Sequence, residues 1–87
     1  MMRTIQDLMD EIRVREKVIK LSQSAQDGVL KLAKEAKDLP RSIRNSERYK
    51  LTQIYEHFEH LINVNTYERN RAVKKLKKKM RKRGYAV

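Results

Sequence analysis

The 87-residue chain has no cysteine and no tryptophan, one phenylalanine, one proline and two glycines. Without cysteine there is neither a disulfide framework nor a thiolate metal site. So little glycine and proline is too few for the succession of tight turns that an all-β domain needs. No apolar run approaches the roughly 18 residues of a membrane-crossing helix. The start, MMRTIQDLMDEIR, places acids where a secretory signal carries its apolar stretch. The expected location is cytoplasmic, or nuclear if the cell is eukaryotic, since KKLKKKMRKR also fits a nuclear-import patch.

Catalytic patterns are missing too. There is no Gly-rich phosphate loop and no Ser/His/Asp spacing, and the carboxylates are scattered among Lys and Arg, where pairing is their expected role. His57 and His60 stand beside Glu56 and Glu59 in YEHFEH, but a zinc site needs three or four ligands and the chain has no other His or Cys. These four residues are expected on a solvated face away from Phe58. The sequence thus points to a protein that is not an enzyme and has no metal and no cofactor.

What is abundant is Lys, Arg, Leu, Glu, Ala, Gln and Met, residues that lose little rotamer freedom in a helix. The expected fold is all-α: a long antiparallel helical hairpin of two to four helices, completed to a bundle by self-association. At about 100° per residue, Ile5, Leu8, Met9, Ile12 and Ile19 share one stripe, and positions 14, 18, 21, 25, 29, 32, 36 and 39 share a second. Leu39-Pro40 is the clearest break, because the residue before proline is pushed out of the α region. Asn45 and Ser46 then offer N-caps, with Glu47 in the first turn.

Leu51, Ile54, Phe58, Leu61 and Ile62 follow as a stripe expected to serve the core or self-association. Ala72, Val73, Leu76 and Met80 continue it in phase if the helix runs straight through. Ser24-x-x-Asp27 and Asn65-x-x-Glu68 fit capping signatures, so breaks there are the competing view. Gly84 suits a left-handed C-cap after a basic last turn. This gives one domain over 1–87, with a first helical segment at 3–38, a proline turn at 39–45, a second segment at 46–64 and a basic arm at 66–83. Two helices alone leave much apolar surface uncovered, hence the expected homo-oligomer.

The charge is lopsided. The chain carries a net +11, yet residues 1–39 hold eight basic and seven acidic residues, whereas 40–87 hold fourteen basic and four acidic. From Arg69 to Arg83 there are ten Lys or Arg in fifteen residues and no acid. Solvated faces ordinarily mix signs, and like charges at i,i+3 and i,i+4 repel. A polyanion relieves that repulsion, so the expected partner is nucleic acid, DNA or RNA, or a ribonucleoprotein. Arg69, Arg71, Lys74, Lys75, Lys77, Lys78, Arg81 and Lys82 are the expected phosphate contacts. Asn65, Tyr67 and Asn70 are candidate base contacts, because Asn can pair with adenine and an exposed Tyr can stack on an unpaired base.

Two named DNA-binding patterns fail on the residues. A helix-turn-helix turn at 63–65 lacks its glycine and puts Arg69 where an apolar residue belongs. A basic-zipper reading of ERNRAVKK has Asn70 one residue too close to Ala72 and no zipper after it. Membrane binding is disfavoured, since Val73, Leu76 and Met80 make a thin apolar face. The alternative to nucleic-acid binding is a small adaptor or inhibitor, of phage or mobile-element accessory type. It would grip a protein or ribonucleoprotein through the near-neutral N-terminal half.

Overall fold

A computed structural model describes residues 3–84; residues 1–2 and 85–87 lie outside it. The first helix begins where Thr4 and Asp7 cap each other. The Thr4 hydroxyl accepts from the Asp7 amide at 3.0 Å, and the Thr4 amide donates to the Asp7 carboxylate at 3.2 Å. That reciprocal box satisfies two of the amides that every helix start leaves without an intrahelical partner. Helix α1 (Ile5–Glu35) then runs unbroken through Ser24 and Gly28. A single 3-10 turn (Ala36–Asp38) and an extended Leu39 and Pro40 reverse the chain into helix α2 (Arg41–Lys82).

The turn is shorter than the 39–45 segment expected from sequence, and neither Asn45 nor Ser46 caps α2. Pro40 does so, with φ −52° and its carbonyl accepting from the Arg44 amide at 2.8 Å. Proline's fixed φ lets the helix start at once, so the polar pair five and six residues on is simply helical. Glu47 instead faces Lys50 at 3.5 Å. The capping signature at Asn65-x-x-Glu68 is likewise overridden, and α2 passes through 64–66 as one helix. Gly84, at φ +84°, takes the left-handed conformation just past the C-cap of α2.

Thus the protein is all-α, a two-helix hairpin 64 Å long and 14 Å thick. Its seam follows a seven-residue repeat. On α1 the residues turned inward are Ile5, Leu8, Ile12, Arg15, Ile19, Ser22, Gln26, Val29, Ala33 and Ala36, in alternating steps of three and four. On α2 the matching series is Arg44, Arg48, Leu51, Tyr55, Phe58, Ile62, Asn65, Arg69, Ala72, Leu76 and Lys79, and all but Arg48 are at least half-buried. A 3.5-residue period is what keeps one face of each helix against the other along such a length.

Polar layers interrupt this seam and fix its register. Arg15 donates to the Asn65 side-chain oxygen at 2.9 Å, and the Asn65 amide donates to the Leu61 carbonyl at 2.7 Å. Gln26 donates to Glu59 at 2.8 Å and to the Tyr55 carbonyl at 3.3 Å. A slip by one turn would strand the buried Asn65 and Gln26 side chains without these partners, a penalty of about 1–3 kcal/mol for each. With Arg15 level with Asn65, Ile5 falls opposite residue 75, so α2 runs on past the start of α1.

The second α1 stripe read from sequence is mostly not core. Val29 and Ala36 are buried, but Val14 is 54% and Leu21 68% exposed, and Leu32 is exposed as well. On α2, Ile54 is 44% exposed, while Leu51, Phe58, Leu61 and Ile62 are half-buried. The stripe flanks the seam rather than lying in it, because Arg15, Ser22 and Gln26 take inward positions that an apolar-only reading gives to the wrong neighbours.

Candidate nucleic-acid interface

The basic arm is the last third of α2, and its inner face is held by small and aliphatic residues. Ala72 is buried against α1, while Val73, Leu76 and Met80 are half-buried. Ala72 lets the helices approach closely there, which fixes the direction of everything on the outer face. Lys74, Lys75, Lys77, Lys78, Arg81 and Lys82 are all exposed, and none of them holds a seam position. None of the six makes an ion pair among the described residues. The arrangement is a rigid cylinder of six free cations within nine residues, a little over two helical turns.

The other two expected arginines are different. Arg71 is exposed but engaged: it lies 3.6 Å from Glu68 and its guanidinium sits 5.8 Å from the centre of the Tyr67 ring. Both partners leave its outer edge accessible, and exposed pairs of this kind contribute little stability. Arg69 occupies a seam position and is half-buried, with one nitrogen 3.4 Å from the Asn70 side-chain oxygen. Lys79 and Arg83 were not among the expected contacts. Lys79 is half-buried at a seam position, and Arg83 is exposed at the helix end.

Of the candidate base contacts, Tyr67 and Asn70 are exposed on the outer face. Asn65 is not available. It is 5% exposed, and both ends of its amide are committed, one to Arg15 and one to Leu61. Its role is structural: it is the partner that brings a charged side chain into the seam.

Opposite the arm stand the acids of the first turns of α1. Thr4, through its amide and its hydroxyl, holds the Asp7 carboxyl below its ordinary range, with smaller help from the Arg3 and Lys79 charges. Arg3, 2.9 Å away, does the same for Glu11, which also faces Arg15 at 3.6 Å. Asp7 is exposed and Glu11 half-buried, and both are engaged at their own end of the chain by Thr4, Arg3 and Arg15, so the outer face of the arm keeps its uncompensated field.

YEHFEH behaves as a polar face: Glu56, His57, Glu59 and His60 are exposed, with the His57 ring edge-on to Phe58 at 5.9 Å. Among the described residues no group of three or more His, Cys, Asp or Glu is placed to hold a metal ion, and no helix is long and apolar enough to cross a membrane. Compared with known proteins, the chain matches no family model, no curated protein and no solved structure.

Proposed function

We propose that this protein is a non-enzymatic, helical nucleic-acid-binding protein that grips phosphate backbones with the C-terminal end of α2. The observation that carries the reading is the set of six exposed cations from Lys74 to Lys82 on one rigid helix, none of them ion-paired among the described residues. Like charges at i,i+3 and i,i+4 destabilise a helix by a few tenths of a kcal/mol per pair, and a row of phosphates removes that repulsion while releasing counterions. Phosphate contacts carry no base information, so binding is indifferent to sequence. Tyr67 and Asn70 are the residues left to add any base preference.

The exposed apolar flank supports self-association. Val14, Leu21, Ile54 and Val64 are all at least 40% exposed on a hairpin one helix thick. A second copy stacked by two-fold symmetry would cover this flank and build a four-helix bundle. The same flank is what a protein partner would grip in the adaptor reading.

Fluorescence anisotropy at low salt, against two duplexes and one single-stranded RNA of unrelated sequence, tests the proposal. Similar affinity for both duplexes is expected. Binding to none of the three overturns it and leaves the adaptor reading.

A further inference from the structure

The tip of the hairpin holds a second cationic feature, about as far from the basic arm as the molecule allows. Lys34 and Lys37 from the end of α1 and Arg44 and Arg48 from the start of α2 line a cleft of about 370 Å³ floored by Leu30 and Ala33. No acid lines it, and none of the four cations makes an ion pair among the described residues. Arg44 and Arg48 occupy the two seam positions nearest the turn, where apolar residues would close the hairpin. The tip is therefore held open by two guanidinium groups one helical turn apart, a like-charge pair that disfavours the helix by itself.

A second observation points the same way. The first turn of α2 has no side-chain cap and no acidic residue, because Pro40 has no side-chain acceptor to offer. The first-turn amides of α2 thus lie at the same tip as the four cations, beside the carbonyl end of α1, whose negative dipole Lys34 offsets. Arginine adds geometry to charge, since its planar fork matches two oxygens of one phosphate.

We infer that this cleft is a second phosphate-binding site, and that its ligand is the phosphodiester backbone of a nucleic acid. The inference rests on the reading that the arm binds such backbones. Arg44–Arg48 and Lys74–Lys82 are centred about 48 Å apart along α2 at 1.5 Å per residue. On a duplex that is about 14 base pairs at 3.4 Å each. Between the two ends the exposed charges are mixed, with Asp27, Glu56 and Glu59 set among Lys17, Lys20, Lys31 and Lys50, so no comparable one-sign cluster lies there. The hairpin therefore meets a long duplex at two separated clusters of phosphates.

The test uses three fourfold glutamine variants: a tip variant (Lys34, Lys37, Arg44, Arg48), an arm variant (Lys74, Lys75, Lys78, Lys82) and a charge-matched control (Lys17, Lys20, Lys31, Lys50). Each is titrated at several salt concentrations against a 12-base-pair and a 30-base-pair duplex, with circular dichroism to show that it stays folded. The short duplex, about 41 Å long at 3.4 Å per pair, falls short of the distance between the two cluster centres and cannot engage both sites fully. For the wild type, the slope of log K against log salt is expected to be steeper on the long duplex by about 3 to 4 units, from roughly 0.9 per contact. The tip variant should lose that difference and the control should keep it. Equal wild-type slopes on the two duplexes, or a tip variant indistinguishable from the control, overturns the second site and leaves the arm reading untouched. An arm variant that binds like the wild type while the tip variant does not would sink the arm reading instead. Phosphatidylserine vesicles provide the remaining comparison. If the tip variant loses vesicle binding but keeps wild-type binding to the long duplex, the cleft serves lipid phosphate and the inference is wrong.

Discussion

Replacing Asn65 with alanine should destabilise the hairpin more than its small apolar contact suggests. Its side-chain oxygen accepts from Arg15 at 2.9 Å within the seam. A hydrogen bond to a charged group contributes about 1.5–3 kcal/mol. The Arg15 side chain keeps about a third of its exposure and a contact with Glu11 at 3.6 Å, so water and Glu11 recover part of the loss. The Leu61 carbonyl still has its helical partner, and losing the extra donor there matters little. The expected net effect of Asn65→Ala is about 1–2 kcal/mol, or a fall in melting temperature of about 5–15 °C for a chain of this size. The assay is urea denaturation at fixed protein concentration on a double-mutant cycle of Arg15→Ala and Asn65→Ala. A coupling energy of about 1 kcal/mol or more is expected. Replacing both residues by leucine should be neutral or stabilising, because an apolar layer needs no polar partner. Single losses that simply add, with coupling below about 0.3 kcal/mol, would refute the argument that this pair fixes the register.

The other expectations follow from burial, charge and exposure. Leu8 is fully buried, so Leu8→Ala should cost about 2–5 kcal/mol; a melting temperature within a degree or two of wild type would show that the N-terminal part of the seam is not formed. Asp7 and Glu11 are held below their ordinary values of 3.8 and 4.5, so they contribute stability that is present above those values and is lost as pH falls through the lower folded ones. The urea midpoint should therefore drop between neutral pH and about pH 3, and Asp7→Asn with Glu11→Gln should shrink that drop; an identical acid response in the double variant would contradict the assignment. Phe58 is half-buried, so Phe58→Ala should cost about half of the 3–5 kcal/mol of a fully buried phenylalanine. Ile54→Lys, on the exposed flank, should leave helix content unchanged while shifting sedimentation from dimer to monomer; a wild type that sediments as monomer at all concentrations would rule out self-association.

Much of this fold is legible in the sequence because it depends on local signals. Helix-forming composition, Pro40 as the one break and the common phase of Leu51–Ile62 with Ala72–Met80 lead directly to two long antiparallel helices. The capping box at Thr4-x-x-Asp7 is equally local and is visible once Asp is allowed in place of Glu. The seam itself is harder to read. Its repeat of alternating threes and fours is unbroken over both helices, but Arg15, Ser22, Gln26, Asn65 and Arg69 hold inward positions, and a search for apolar periodicity passes over them. Their partners lie up to fifty residues away, so nothing near them in sequence marks them as buried. Asn65 shows the consequence. Beside Tyr67 and Arg69 it reads as an exposed recognition residue, and only its pairing with Arg15 shows that it belongs inside. The outer face of the arm is the opposite case: its orientation follows from Ala72, Leu76 and Met80 alone. The tip cleft needed the fold, since Lys34 and Lys37 meet Arg44 and Arg48 only after the chain turns.

The claim that the end of α2 grips phosphates is tested most directly by the salt dependence of binding on a 12-base-pair duplex. Five or six neutralised phosphates give a slope of log K against log salt of roughly −4.5 to −5.5. Glutamine at Lys74, Lys75, Lys78 and Lys82 together should flatten it by about 3 to 4 units and weaken binding alike on unrelated sequences. These four side chains are exposed and make no ion pair among the described residues, so the hairpin should keep its helix content. A folded variant with the wild-type slope and affinity would contradict the account.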